Sequence, residues 1–347
     1  MKKALSLLLT LCLAFCLCLP AFAADAPEIL TSADGKYAYT LDDNGCAVIT
    51  EYLGHELHCR IPMKLDDHTV VGIGEDAFRN KRFMRSVSLP VFLSRIGEGA
   101  FACCDLLQKI EGGQIVYSVG ACAFEDCLSL TEVYLPSLKE IPDGMFTGCW
   151  RLREATFSDK LEKIGGWAFW GCESLRQFSF PETLTEIGTQ AFKECGSLRE
   201  VVLSDGLEVI PYEAFMQCTR LKTVKLPANL KEIGEGAFAQ CWRLRGELRI
   251  PDSVTTIDAT AFNGCSSHLT LAGKAGSAAW HYCAQDGGDA APVFGDDFSF
   301  RDVDTGEVKP MGHPLLHDLF YGGNLYLGKI ITIPLLLYAI LVHQLVR

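Results

Sequence analysis

One phenylalanine recurs along this chain at an almost constant interval. The stretch IGEGAF occurs at 96–101 and again at 233–238, and variants of it fill the interval between the two copies. A fixed period of about 20–50 residues is the signature of a repeat architecture in which each unit contacts only its neighbours. The motif phenylalanines, 22 to 24 residues apart, are Phe78, Phe101, Phe124, Phe146, Phe169, Phe192, Phe215, Phe238 and Phe262. The chain is therefore predicted to coil into nine stacked turns, which we call rungs.

The other positions of the repeat predict how each rung folds. Ile or Val lies five residues before every motif phenylalanine, and Leu follows it by six residues in seven rungs. An alternating run such as Leu198-Arg-Glu-Val201-Val-Leu203 comes next and is typical of a short strand with one buried face. The Gly-x-x-Ala-Phe-x-x-Cys segment has room for about one turn of helix or a tight corner, either of them too short to be stable alone. Since no single rung can bury its own Ile, Phe and Leu, stacking must create the core.

These columns resemble the BspA-type leucine-rich repeats of bacterial surface and secreted proteins. The consensus L-x-x-I-G-x-x-A-F-x-x-C-x-x-L-x-x-V-x-L-P carries the resemblance, which spans roughly 47–285 with nine copies in register. Membership implies an α/β repeat solenoid, a right-handed leucine-rich-repeat coil of about nine 22–24-residue rungs with parallel strands and short helical turns. It also implies a role in recognition or adhesion, and no catalytic residues.

The repeat and its flanks divide the chain into six segments. We expect a signal peptide over 1–23, an N-terminal cap with opening strands over 24–72, the solenoid over 73–272, a C-terminal helical cap over 273–285, a linker or irregular unit over 286–325, and a hydrophobic C-terminal segment over 326–347. Two lysines, an apolar run and Ala21-Phe22-Ala23 predict export with cleavage after Ala23. The protein is therefore expected at the cell surface or secreted.

The C-terminal segment contains a 13-residue apolar run from Ile330 to Val342. A membrane-spanning helix usually needs about 20 such residues, and shorter runs are more often buried or interfacial. Both interpretations stay open. We favour a membrane anchor, because an exported solenoid already has caps of its own.

The charge pattern narrows the classes of partner. The net charge is −12, and no block of five like charges occurs. Such a surface disfavours nucleic acid and anionic lipid as main partners. An extracellular protein or glycan remains, and no cofactor is expected.

Cysteine is frequent, and its spacing follows the repeat. Of 16 cysteines, eight stand three residues after a motif phenylalanine: Cys104, Cys127, Cys149, Cys172, Cys195, Cys218, Cys241 and Cys265. One cysteine per rung makes no C-x-x-C pair, and the span from Ile73 to Cys265 has no histidine, so zinc binding and thiolate activation lack their usual partners. We interpret the column as buried structural thiols. Cys46 and Cys59 are the one pair considered for a disulfide.

Charged side chains recur at the strand positions that follow the first leucine of each rung. Residues one period apart should lie side by side when rungs stack. The column includes Arg153, Arg176, Arg199, Lys222 and Arg245, with Glu154 and Glu200 beside it. It is interpreted either as an ordinary solvated charge ladder, in which each pair stabilises little, or as a recognition surface.

Three tryptophans interrupt columns that are polar elsewhere. Trp167 and Trp170 stand where other rungs carry residues such as Asp76 and Lys193, and Trp150 lies one rung earlier. Clustered exposed indoles indicate a patch that stacks on sugars or docks a protein. The alternative is that a neighbouring loop or the C-terminal segment covers them.

Together these features predict a non-enzymatic, exported scaffold that binds a protein or glycan through the strand face or the tryptophan patch. Nine rungs without a catalytic constellation motivate this hypothesis. The rival hypothesis is a structural surface spacer or self-assembly module without a dedicated ligand.

Overall fold

A computed structural model of the chain describes residues 28–284 and 299–310. Strands β1 (Leu30–Thr31), β2 (Tyr37–Leu41) and β3 (Ala47–Tyr52) form an antiparallel N-terminal cap. They are followed by β4 (His58–Arg60), β5 (Lys64–Leu65) and β6 (His68–Ile73), and β3 pairs with β6 in parallel. Strand β3 therefore joins the antiparallel cap to the first parallel strand of the solenoid.

Two rows of parallel strands run along the coil. The long-strand face contains β4, β7 (Ser86–Ser88), β9 (Lys109–Glu111), β11 (Glu132–Leu135), β13 (Glu154–Phe157), β16 (Glu200–Val202), β18 (Thr223–Lys225), β20 (Gly246–Arg249), β22 (Leu269–Gly273) and β23 (Ser299–Asp302). The short-strand face continues β6 with β8 (Arg95–Ile96), β10 (Ser118–Val119), β12 (Glu140–Ile141), β14 (Lys163–Ile164), β15 (Glu186–Ile187), β17 (Val209–Ile210), β19 (Glu232–Ile233) and β21 (Thr256–Ile257). In β11 the side chains alternate between exposed and buried, so each long strand presents every second residue to solvent.

The third side of each rung is a hydrogen-bonded corner centred on the motif phenylalanine. From Phe78 to Phe238, its N–H donates to the carbonyl of the residue just before the next motif phenylalanine, at N···O distances of 2.7–3.0 Å. At the C-terminal end, the Phe262 N–H instead donates to the Tyr282 hydroxyl at 3.3 Å. The corners therefore add a third ladder between rungs.

The short helical turn expected at each corner is wrong, because the structure places tight turns there. The residues two before and two after the phenylalanine are left-handed in most rungs, for example Gly99 at φ 57° and Cys103 at φ 58°. A left-handed residue ends a right-handed helix, so a helix cannot extend through the corner in either direction. Within the described residues the single helix is α1 (Ala278–Ala284). The fold is a parallel-strand β-solenoid.

The nine motif phenylalanines form one continuous file in the interior. All nine are fully buried, and neighbouring rings stack with centroids 4.9–5.6 Å apart. Tyr52 extends the file at its N-terminal end, 4.9 Å from Phe78, and Tyr282 packs edge-on against Phe262 at the other end. The inward direction predicted for the phenylalanine column is confirmed.

The column four residues before the phenylalanine explains where the short-strand face is interrupted. Where this residue is glycine, its N–H donates to the preceding rung, as Gly120 does to the Ile96 carbonyl at 2.8 Å. Pro142 and Pro211 occupy the same column in two rungs and have no N–H to donate. The short-strand face divides into three sheets at these two rungs. The second break leaves an open groove lined by Thr185, Glu186, Ile187, Gly206, Glu208 and Val209.

The C-terminal end of the solenoid is closed by α1 and a hairpin. From the sequence we expect a linker or irregular unit over 286–325, but within that range β23 pairs in parallel with β22 and β24 (Val308–Pro310) returns antiparallel to β23. Phe300 on β23 is fully buried and joins the core. The hairpin covers the last rung, whose edge would otherwise expose unpaired N–H and C=O groups. Four residues of alternation are too short to reveal this strand in the sequence.

Candidate ligand-binding surfaces

The cysteine column lies in the interior beside the phenylalanine file. In eight rungs the thiol donates to the backbone carbonyl of the motif phenylalanine in the preceding rung, as Cys104 does to Phe78, with Sγ···O distances of 3.1–3.3 Å. Burial raises the pKa of Cys104 to about 12 and that of Cys127 well above its usual value. Protonated, buried thiols are poor nucleophiles, so the column is structural.

The two cysteines considered for a disulfide are not bonded to each other. Cys46 and Cys59 are both free thiols, and the Cys59 Sγ lies 3.6 Å from the Tyr37 hydroxyl. Among the residues that the structure describes, no group of three or more His, Cys, Asp or Glu side chains is placed to hold a metal ion.

The structure places the predicted charged column on the outer side of the long-strand face. All seven side chains are exposed: Arg153, Arg176, Arg199, Lys222, Arg245, Glu154 and Glu200. Stacking brings neighbours together, since Glu154 pairs in register with Glu132 and Glu200 with Thr223. None of the seven takes part in an ion pair with another described residue. Their charges are therefore available to a partner.

The charged column is not carried by one continuous sheet. No strand forms over 175–180, so the ladder stops between β13 and β16 at the rung that carries Arg176. There, Phe178 stands in a column that holds the smaller Ala155 and Val201 in the neighbouring rungs, and its ring lies 5.1 Å from both Phe169 and Phe192. Extra ring volume in a packed interior displaces the backbone, so Arg176 sits on an irregular segment between two regular ones.

The predicted tryptophan patch lies on the corner side, away from the strand face. Trp150, Trp167 and Trp170 are 54%, 43% and 37% exposed. Trp167 and Trp170 are joined by a turn hydrogen bond of 3.0 Å between their backbones. A Cβ built on Gly171, the residue after Trp170, would lie 3.9 Å from the Trp150 indole. The three tryptophans therefore lie near one another on the corner side, and we call them the tryptophan corner; each stays partly exposed beside the described residues.

A polar network from the next two rungs holds two of these indoles in place. The Trp167 Nε1–H donates to the Gln190 amide oxygen, and the Gln190 amide donates to Glu213 Oε2 at 2.6 Å. Lys193 Nζ lies 2.6 Å from the same Glu213 oxygen and 5.9 Å from the centroid of the Trp170 ring. Burial raises the pKa of Glu213, but hydrogen bonds from Lys193, Gln190 and the Tyr212 hydroxyl outweigh it and hold the pKa below its usual 4.5. The network therefore joins a carboxylate to an ammonium group beside the indoles.

The repeat matches the model of a known protein family. The family model described as "BspA type Leucine rich repeat region (6 copies)" matches residues 63–165 and 139–268, together more than half of the chain. The chain belongs to the BspA-type leucine-rich-repeat family. The matched range contains every motif phenylalanine and the whole tryptophan corner. The resemblance stated from the sequence columns is confirmed.

Several solved structures similar to this BspA-type protein come from bacteria. A leucine-rich cell surface protein from Faecalibacterium prausnitzii is 25% identical over 73% of this chain and 90% of its own, with a TM-score of 0.44. The leucine-rich repeat protein of T. pallidum is 27% identical over 62% of this chain and 91% of its own, with a TM-score of 0.44. The pneumococcal vaccine antigen PcpA is 19% identical over 71% and 82%, with a TM-score of 0.42. The curated proteins give no significant match.

Two features of this BspA-type surface were not predicted from the sequence. One is the network of Gln190, Lys193 and Glu213, although the 23-residue spacing of Trp167, Gln190 and Glu213 and of Trp170 and Lys193 already places them in two shared columns. The other is an N-terminal apolar patch that is 47–64% exposed: Met63, Val91, Phe92, Ile115 and Tyr117. The hydrogen bond from the Tyr117 N–H to the Ser94 carbonyl shows that neighbouring rungs stack here.

The predictions for the two ends of the chain fall outside the described residues. These are the signal peptide over 1–23, and the C-terminal segment over 326–347 with its anchor. Among the helices that the structure does describe, none has the length and apolar character needed to cross a membrane.

Proposed function

We propose that this BspA-type protein is an exported, non-enzymatic recognition scaffold of the cell surface or its surroundings. Its ligand is an extracellular protein or glycan, and neither nucleic acid nor a cofactor is involved. The signal-peptide pattern at 1–23 supports export. The C-terminal apolar run is proposed as the anchor that keeps the protein at the surface.

The observation that carries this proposal is the tryptophan corner. Large apolar side chains are rarely left bare in clusters unless they bind something. Elsewhere in the repeat the Trp167 column holds small or polar residues such as Gly99, Gly144 and Glu213, so the fold itself does not demand an indole. The unpaired charges of the long-strand face supply a second surface of the kind that repeat proteins use for partners.

The experiment is a binding screen of the full chain against immobilised glycans and extracellular-matrix proteins, with two matched double variants. Trp167→Gly with Trp170→Ala removes the tryptophan corner, and Arg176→Glu with Arg199→Glu inverts the charged column. We expect one double variant to abolish binding while the circular dichroism spectrum stays that of the wild type. Retention of every bound ligand by both double variants would refute recognition through these surfaces.

The rival function, a structural spacer or self-assembly module, is favoured by the N-terminal apolar patch. Sedimentation of the full chain tests it, because self-assembly would shift the distribution with concentration and Phe92→Asp with Tyr117→Asp would reverse the shift. A monomer at all concentrations would exclude self-assembly.

A further inference from the structure

We propose that the tryptophan corner binds an uncharged carbohydrate, through stacking of sugar rings on the Trp167 and Trp170 indoles. This inference rests on the proposed recognition function and specifies its ligand class. The alternatives for the same surface are a protein partner and a charged ligand. Backbone geometry, side-chain order, exposed area and charge together favour the sugar.

The backbone geometry shows that an indole is kept at position 167 against a local preference. Trp167 has φ 54°, in the left-handed region that bulky residues rarely occupy. This column is left-handed from Asp76 to Gly236: glycine, which adopts this conformation without strain, stands at Gly99, Gly144 and Gly236, and the smaller or polar residues Asp76, Cys122, Gln190 and Glu213 stand in other rungs. Trp167 is the bulkiest residue of this column and the least suited to the conformation, and from its exposed position the indole adds nothing to the core.

Polar side chains hold the Trp167 and Trp170 indoles in place before any ligand binds. The Gln190 amide fixes the Trp167 ring through Nε1, and Lys193 lies over the Trp170 ring. Gln190 and Lys193 are themselves held by Glu213, whose side chain is only 14% exposed. A preorganised platform avoids the entropy that ordering loose side chains would require. Stacking on the C–H face of a sugar ring needs a flat ring held in this way.

The exposed area is small for a protein partner. With 37–54% of each residue exposed, the three tryptophans present roughly 300 Å² in all. A stable protein interface buries about 800 Å² on each side. The area suits a short oligosaccharide, with one sugar ring on each indole.

The charges at the corner favour a ligand without net charge. Lys193 already occupies the cation–π position on Trp170, so a cationic ligand would meet a like charge there. The Lys193 ammonium and Glu213 carboxylate are paired at 2.6 Å, so neither is free to select an anion. Sugar hydroxyls both donate and accept hydrogen bonds, so a carbohydrate can bind beside this closed ion pair without a counter-charge.

The test titrates the full chain with neutral hexasaccharides of glucose in α-1,4 and β-1,4 linkage, of N-acetylglucosamine, of xylose and of mannose. Heparin and polygalacturonate are the anionic probes. Binding is followed by tryptophan fluorescence and by calorimetry, in about 0.05 M and about 0.5 M NaCl. We expect at least one neutral oligosaccharide to bind with the same affinity at both salt concentrations. Trp170→Ala should weaken that binding about tenfold or more.

Two further variants separate binding from folding. Trp167→Gly should lose binding while the melting temperature stays equal to or above that of the wild type, because glycine relieves the left-handed strain. Trp242→Ala is the matched control: Trp242 is 50% exposed and holds the same repeat position as Trp150, four rungs further along. It should bind like the wild type.

The outcomes separate this inference from the proposed function. The sugar site is refuted if no neutral oligosaccharide binds, if Trp242→Ala weakens binding as much as Trp170→Ala, or if only anionic probes bind. A protein partner that requires the tryptophans, without sugar binding, also refutes it and leaves recognition intact. If only the double variant Arg176→Glu with Arg199→Glu abolishes binding, recognition takes place on the strand face. The sugar site is then refuted as well.

Discussion

The substitution Phe169→Ala tests the phenylalanine file where it is most densely packed. The Phe169 ring is stacked between Phe146 and Phe192, at centroid distances of 5.4 and 5.1 Å, and meets Phe178 edge-on at 5.1 Å. It is fully buried. Truncating a buried phenylalanine to alanine costs about 3–5 kcal/mol, from lost transfer energy and the remaining cavity. Since each aromatic pair adds about 0.5–1.5 kcal/mol, we expect a loss in the upper half of that range.

Urea unfolding followed by circular dichroism measures this loss. The midpoint should fall while the slope stays that of the wild type, because the surface exposed on unfolding hardly changes. Phe92→Ala is the matched control: Phe92 is 54% exposed and its truncation should cost under about 1 kcal/mol. Similar losses for Phe169→Ala and Phe92→Ala would show that the file does not hold the rungs together.

Three further predictions address the repeat and its network. Gly97→Ala should destabilise by about 2 kcal/mol or more, because its Cβ would lie 2.5 Å from backbone atoms of the preceding rung, whereas Gly196→Ala, with its nearest atom at 3.5 Å, should be tolerated; equal midpoints in urea would refute the steric reason. Cys172, whose pKa burial raises well above its usual value, should resist a thiol reagent at pH 8 until the chain unfolds, and rapid labelling of the native protein would contradict its burial. Glu213→Gln should be less stable than the wild type at pH 7, and the difference in unfolding free energy should shrink as the pH falls below 4.5. The reason is that a carboxylate with a lowered folded-state pKa loses its stabilising effect when it is protonated. A difference in unfolding free energy that does not change with pH would refute this.

Much of the fold follows from the period alone. Residues one period apart must share a column, so the phenylalanine file, the buried thiols and the outward charges were all predictable. The strand pattern was also predictable, because alternation in runs such as Glu132–Leu135 is what a half-buried strand requires. These features depend only on which side of a rung a residue faces.

The corner geometry depends on backbone conformations that residue types do not reveal. Cys103, Trp167 and Glu213 all adopt left-handed φ, although propensity assigns that region mainly to glycine. The inter-rung hydrogen bonds impose the conformation, and such tertiary constraints are invisible in a five-residue segment. The sequence therefore allows either a helical turn or a tight corner at these positions, and the structure has the tight corner.

The interruptions of the two strand faces are only partly predictable from the sequence. Pro142 and Pro211 stand in a column whose residues in the other rungs donate a backbone hydrogen bond to the preceding rung. Because proline has no N–H, these two breaks in the short-strand face can be predicted once the rungs are aligned. The break at 175–180 could not, because it depends on how the Phe178 ring fits between Phe169 and Phe192. Volume conflicts in a core require coordinates.

Some columns of the repeat stabilise the fold and others are free to bind a ligand, so a rung can carry a binding site without losing its fold. Stability depends on the buried columns, in which substitutions leave cavities. The corner positions around Trp167 and Trp170 contribute backbone hydrogen bonds through atoms that every residue except proline has, so their side chains are free to vary. One rung can therefore carry Gly144 and the next rung Trp167 at the same repeat position, and both residues donate the same inter-rung backbone hydrogen bond. Trp167 shares its left-handed backbone with the same position of the neighbouring rungs, and the next two rungs supply the groups that orient its indole. A site of this kind needs neighbouring rungs in register, which is the property that the stacked phenylalanines maintain.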